Sequence, residues 1–259
     1  MSDLVLTERH GDIAIIVLNR ADKLNALNKA MWLGVRDRIR ACSTEPDLRC
    51  VVLRGAGEKA FGPGADIAEF ATERANARQA AEYGRLMHET MAAIAECVHP
   101  TVAMIHGLCV GGGLELALMC DLRICGESSR FGVPINRIGV TMAYPEIGAL
   151  IELVGRSTAL AILLEGRLFG AAEAKEIGLV TRVVADAQVT EESLATARRI
   201  ADGAPLVNRW HKKFARRLRD PRPLSAAEQA EPYETFDTED YRAGFQAFLD
   251  KRKVIFQAR

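Results

Sequence analysis

Two stretches of the chain run from a short apolar segment through glycines into an apparent helix start. One leads from Val51-Val52-Leu53 into FGPGAD (residues 61–66). The other leads from residues 102–105 into GGGLE (residues 111–115). A helix start leaves backbone N–H groups without internal acceptors and carries partial positive charge. Glycine lets a ligand atom approach such a backbone closely. Two ends of this kind, brought face to face, could hold one oxygen between two amides and stabilise an oxyanion. Kept apart, each is only a packing turn. Glu115 is the acid that stands out. Gly111, Gly112, Gly113 and Leu114 precede it, and Leu116, Ala117, Leu118 and Met119 follow. Burial on so apolar a helix raises a carboxyl toward the range useful for proton transfer, while the helix start pulls the other way. The plainer alternative is a first-turn acid that serves the helix dipole. Asp66 has the same two readings, and its place before a short helix favours capping.

These groups need a scaffold. Residues 4–18 read as two short strands joined at His10-Gly11-Asp12. A helix is predicted over 25–40, with Leu27, Met31, Trp32, Val35 and Ile39 at helical spacing. Short buried strands are predicted at 50–53 and 100–105, a long helical stretch at 72–97, and further strands at 121–125, 130–133 and 179–184. The segment 106–113 reads as a loop. The second half is mainly helical, and a last helix is predicted over 240–253. The pattern is α/β: a β/α core over residues 1–190, then a helical region over 191–259. Phe236, Tyr241, Phe245, Phe248 and Leu249 give that region apolar faces, which need cover from the core or from another subunit.

Composition narrows the function classes. The 259 residues carry 34 Lys plus Arg against 34 Asp plus Glu, so no long-range field favours DNA or an anionic membrane. The basic run 209–222 (RWHKKFARRLRDPR) reads as one solvated helix face. No apolar stretch reaches the length of a membrane span, and the N-terminus lacks a secretory pattern. Six cysteines without C-x-x-C pairs or zinc spacing read as small buried hydrophobes in a reducing, cytoplasmic setting. The phosphate-loop and dinucleotide glycine patterns are missing, as are G-x-S-x-G and H-E-x-x-H. Nicotinamide dehydrogenases and the common serine and zinc hydrolases lose their sequence support.

With those residues in view, the chain resembles the crotonase (enoyl-CoA hydratase/isomerase) superfamily over nearly its whole length. The resemblance is carried by NRADKLNAL (19–27), KAFGPGADI (59–67), HGLCVGGGLELALMCDLRI (106–124), EGRLFGAAEAKEIGLVTRVV (165–184) and FLDKRKVIF (248–256), in family order. It implies a crotonase-like spiral of ββα units with a helical C-terminal trimerisation region. It implies an acyl-CoA thioester as substrate, with coenzyme A entering as part of it and no separate cofactor or metal. It places the two oxyanion donors on the backbone of Ala65 and Gly112, and the first hydratase glutamate on Glu115. Lys23, Pro63, Asp66 and Ile67 fall in or beside the coenzyme A segments, and Phe248 and Lys251 in the C-terminal helix that contributes to the nucleotide pocket. A homotrimer, or a hexamer built as a dimer of trimers, is the implied assembly.

One position departs from the family pattern. Where hydratases follow the proline of F-G-x-P-E with a second glutamate, this chain has Phe131-Gly132-Val133-Pro134-Ile135. Enoyl-CoA hydratase or isomerase activity with Glu115 as the acid/base remains the first expectation. Other members place an acid a few residues past Gly139, which makes Tyr144 and Glu146 candidate substitutes; Glu146 also reads as a first-turn acid after Pro145. A catalytically silent protein that binds acyl-CoA or nucleic acid is the rival from another class.

Overall fold

The computed structural model describes residues 3–259. Strands β1 (Val5–His10) and β2 (Ile13–Leu18) form the expected antiparallel hairpin, with Gly11 in left-handed backbone at its turn. Every residue of β2 is buried. Ile13, Ile15 and Val17 point into one core, and Ala14, Ile16 and Leu18 into another. A strand apolar on both faces needs cover on both. Helix α1 (Lys29–Ser43) covers one side with Met31, Trp32, Val35 and Ile39. It starts later than residues 25–40 predict, because Asn28 caps it by accepting the Met31 N–H at 2.9 Å.

Strand β3 (Cys50–Gly55) leads to β4 (Ala60–Gly62), α2 (Phe70–Glu73) and α3 (Ala77–Glu96). The single helix predicted over 72–97 is thus two, and Asn76 caps the second by accepting the Gln79 N–H. Strand β5 (Thr101–Ile105) leads to β6 (Leu108–Val110) and α4 (Gly112–Leu118). The segment predicted as loop therefore contains a strand. Strand β7 (Leu122–Gly126) leads to β8 (Arg130–Gly132). The same move occurs three times: a strand in one sheet, a short strand in a second sheet, then helix. After α5 (Tyr144–Val154) and α6 (Arg156–Glu165) come β9 (Phe169–Gly170), α7 (Ala171–Glu176) and β10 (Arg182–Val184). The larger sheet has the order β1-β2-β3-β5-β7-β10, and the smaller has β4-β6-β8-β9. Pairing is parallel except for β1 with β2 and β8 with β9. This is the mixed α/β architecture that the family resemblance implies.

Helix α8 (Val189–Ala201) lies across β2, β3, β5 and β7 and closes the second core with Val189 and Ala197. Helices α9 (Pro205–Arg217), α10 (Ala226–Ala230) and α11 (Glu239–Leu249) complete the chain. The basic run along α9 is not a freely solvated face. Lys212 Nζ bridges to Asp121 at 2.8 Å and donates to the His99 carbonyl, and Arg209 donates to the Pro46 and Leu48 carbonyls. Lys213 pairs with Glu231, Arg217 with Glu228, and Arg219 with Glu152. On α11, Asp240 accepts the amides of Gln257 and Ala258, so the tail folds back on the helix. The faces of Phe236, Tyr241, Phe245, Phe248 and Leu249 are exposed in the single chain. All six cysteines are buried and unpaired. Among the described residues, no helix is long and apolar enough to cross a membrane.

Candidate active site

Strands β4 and β6 are neighbours in the smaller sheet, so the two glycine turns that follow them are brought side by side. The contact is closest between Gly62 and Gly113. A Cβ on Gly113 would stand 2.2 Å from the Gly62 carbonyl oxygen, so only hydrogen fits there. Gly111 takes a left-handed φ of 50° to turn the chain into α4. The Ala65 nitrogen lies 3.6 Å from where a Cβ on Gly112 would project. Trp32 and Leu27 side-chain atoms lie 3.1 and 3.4 Å from the same spot, so a side chain at 112 would be tightly packed.

The loop 63–66 is held by Leu27. Its N–H donates to the Gly64 carbonyl and its carbonyl accepts the Asp66 N–H, both at 2.8 Å. In extended backbone alternate amides point to opposite sides, so the Ala65 N–H faces away from Leu27. Gly112 is the first residue of α4, and its amide has no intrahelical acceptor. Among the described residues, neither amide donates to a protein acceptor. Two neighbouring donors of this kind can hold one oxygen.

Glu115 follows one helical turn after Gly112. It is 6 % exposed, and its Oε2 has no hydrogen-bond partner. Burial pushes its carboxyl up to about 8, the Glu146 carboxylate adds to the rise, and Arg74 opposes it. Glu146, in the first turn of α5, is 3 % exposed, and its Oε2 is likewise unpartnered. Its Oε1 lies 3.1 Å from His88 Nε2 on α3. Glu146 is the first-turn acid after Pro145 that the sequence predicts, and it is buried as well.

The other expected residues divide. Pro63, Asp66 and Ile67 lie in the loop that carries Ala65. Asp66 caps the following turn by accepting the Ala68 N–H and bridges to Arg20 at 2.6 Å. That guanidinium holds its carboxyl below the usual range, and Lys23, on an exposed turn, adds a weaker pull. Asp66 is therefore engaged in structure. Ile135 is partly buried and packs against the main core. Tyr144 is 93 % exposed at the start of α5, so the two candidate substitutes differ: Glu146 turns inward and Tyr144 does not. Phe248 and Lys251 are exposed at the end of α11, with no contact to the Ala65 loop among the hydrogen bonds and ion pairs of the described residues.

Two residues of the site had no sequence signal. His88 sits mid-helix with nothing local to mark it, and its partner is 58 positions away. Asn25 is buried at a left-handed φ of 66°. Its Nδ2 donates to the Ala56 and Ala60 carbonyls and so ties the first segment to β4. A cavity of about 590 Å³ between α9 and α10, lined by Phe214, Leu218, Leu224 and Pro232, contains none of these groups. It also holds no buried orphan polar atom among the described residues.

The model of the enoyl-CoA hydratase/isomerase family matches residues 8–259. The chain is 32 % identical to a crotonyl-CoA hydratase of Syntrophomonas wolfei over 254 residues, 97 % of each chain. It is 31 % identical to a short-chain-enoyl-CoA hydratase of Clostridium acetobutylicum over 252 residues, 96 % of each. Its fold superimposes with a TM-score of 0.98 on a crystal structure described as an enoyl-CoA hydratase/carnithine racemase from Magnetospirillum magneticum. That chain is 50 % identical, and the match covers 100 % of this chain and 97 % of that one.

Proposed function

The chain belongs to the enoyl-CoA hydratase/isomerase family, and from that premise we propose that Ala65 and Gly112 hold the thioester oxygen of an acyl-CoA while Glu115 moves the proton. As a proton leaves or joins the acyl chain, charge gathers on the thioester oxygen. Two fixed amides stabilise that enolate without reorganising, and loss of one such donor typically costs about 3 kcal/mol of barrier. Glu115, raised to about 8 by burial, begins at neutral pH as a proton donor. Coenzyme A enters with the substrate, along the 63–67 loop and Lys23, and no separate cofactor is invoked. Phe248 and Lys251 join the nucleotide pocket, in a homotrimer or a dimer of trimers. The six unpaired thiols accord with a reducing cytoplasm.

The observation that supports this reading best is the pair of acceptor-free amides beside a buried acid one turn along α4. The test is solvent-deuterium exchange at the α-carbon across a panel of saturated and unsaturated acyl-CoAs. Glu115→Gln should lower exchange and turnover by about 10²–10⁴-fold. Full turnover in Glu115→Gln would refute the assignment.

A second reading within the family is favoured by the burial of Glu146. With Ile135 where hydratases carry their second glutamate, Glu146 is the acid that shares the interior with Glu115. A reaction that needs both an acid and a base has both here. Tyr144, exposed to solvent, has no such support.

A further inference from the structure

Leu27 touches both glycine turns. Its backbone is bridged to Ala65: the Leu27 N–H donates to the Gly64 carbonyl and the Leu27 carbonyl accepts the Asp66 N–H, each at 2.8 Å. Its side chain reaches the other turn, with Cδ1 3.4 Å from where a Cβ on Gly112 would project. Trp32 Cζ2 and the Ala65 nitrogen meet that same point, at 3.1 and 3.6 Å. The space beside Gly112 is thus walled by the Leu27 side chain, the Trp32 ring and the backbone of the opposite turn. Leu27 and Trp32 are both fully buried. Their own places are fixed from outside the site. Asn25 holds the segment before Leu27 through the Ala56 and Ala60 carbonyls. Asn28 caps α1 directly after it, and its carbonyl accepts the Trp32 N–H at 3.1 Å. The Trp32 carbonyl in turn accepts the Thr90 hydroxyl of α3 at 3.0 Å. A close-packed interior passes displacements on, because few voids absorb them. Two donors that must serve one oxygen tolerate an error of only about 0.5 Å.

We propose that Leu27 is a positioning residue for the two amides: its backbone holds the turn that carries Ala65, while its side chain, backed by Trp32, holds Gly112 where both amides reach one oxygen. This rests on the reading of Ala65 and Gly112 as the donors to an acyl-CoA thioester. The hydrogen bonds of Leu27 fix only the Ala65 turn. Its hold on Gly112 is side-chain contact, and so is open to substitution. Shortening that side chain leaves the backbone bonds in place and opens a void beside Gly112. The two amides then lose their common focus, while the 63–67 loop stays bonded. The loss falls where charge on the thioester oxygen is greatest, so it appears in kcat rather than in KM.

The test uses the full chain as Leu27→Ala, Leu27→Val, Leu27→Met and Leu48→Ala. Leu48 is the control, fully buried in the same core but in neither glycine turn. Leu27→Ala and Leu48→Ala should both lower the melting temperature. Only Leu27→Ala should lower kcat, by about 10–100-fold, on the most active member of the acyl-CoA panel, with KM within about threefold. Leu27→Met, which keeps the volume, should recover most of that loss. Leu27→Val, a smaller deletion, should fall between, and it carries the test if Leu27→Ala does not fold. The direct probe is the infrared band of butyryl-CoA labelled with carbon-13 at the thioester carbonyl. On the wild type the band should move to lower frequency than in free butyryl-CoA. It should return toward the free position in Leu27→Ala or Leu27→Val and stay shifted in Leu48→Ala. A band that stays fully shifted in the Leu27 variants, or kcat losses equal in Leu27→Ala and Leu48→Ala, would overturn the proposal and leave the oxyanion reading standing. A wild-type band at the free position would overturn the oxyanion reading itself, and this proposal with it.

Discussion

Glu115 links stability to pH through its burial. Its carboxyl is raised from 4.5 to about 8 in the folded chain. Between those values the folded state keeps a proton that the unfolded state has released, so stability falls as pH rises through the window. The slope is lost above about 8, where both states are ionised. Melting temperature measured from pH 4.5 to 8 should therefore drop more steeply in the wild type than in Glu115→Gln, which has nothing to titrate; parallel curves would show that the carboxyl is not held neutral. The same residue shows what a sequence can say at this scale. The apolar neighbours on both sides of Glu115 foretold its burial. Nothing nearby foretold that Glu146 would be buried too, because α4 and α5 are brought together by tertiary packing.

The closeness of β4 to α4 makes glycine at 113 a steric requirement. Gly113→Ala would drive a Cβ into the Gly62 carbonyl. The gain in helix propensity, about 1 kcal/mol, is smaller than the 1–3 kcal/mol or more that overpacking costs. It would also push apart the turns that carry Ala65 and Gly112. Gly84, in the middle of α3, is the control, since nothing lies within 4 Å of its added Cβ. Gly84→Ala should stabilise by about 0.4–1 kcal/mol, and Gly113→Ala should lose both melting temperature and turnover. Equal effects from the two substitutions in thermal melts and assays would refute the argument. Elements with strong apolar periodicity, such as β2 and the body of α1, were legible from the chain. The short strands β4, β6 and β9 were not, because two or three residues carry no period and their pairing is set by the larger sheet. The start of α1 was misplaced because Asn25 serves β4 rather than the helix.

At the scale of the whole molecule, the exposed aromatic face of the last helix calls for a partner. Phe236 packs tilted on Tyr241 and Tyr241 stacks on Phe245, with ring centroids 4.9 and 6.1 Å apart, and all three remain open to solvent. Apolar rows of this kind belong to interfaces. Sedimentation of the wild type should give the mass of three or six chains, and Tyr241→Ser with Phe245→Ser should shift it toward one; a monomeric wild type would remove the expectation. The helix before it is the contrasting case. Lys212, Lys213 and Arg217 of α9, and Arg219 just beyond it, are answered by Asp121, Glu231, Glu228 and Glu152, drawn from both halves of the chain. A drift of any one of those acids to a neutral residue would turn a structural strut into a bare cation, so the charge presented by the basic run is set at positions remote from it in sequence.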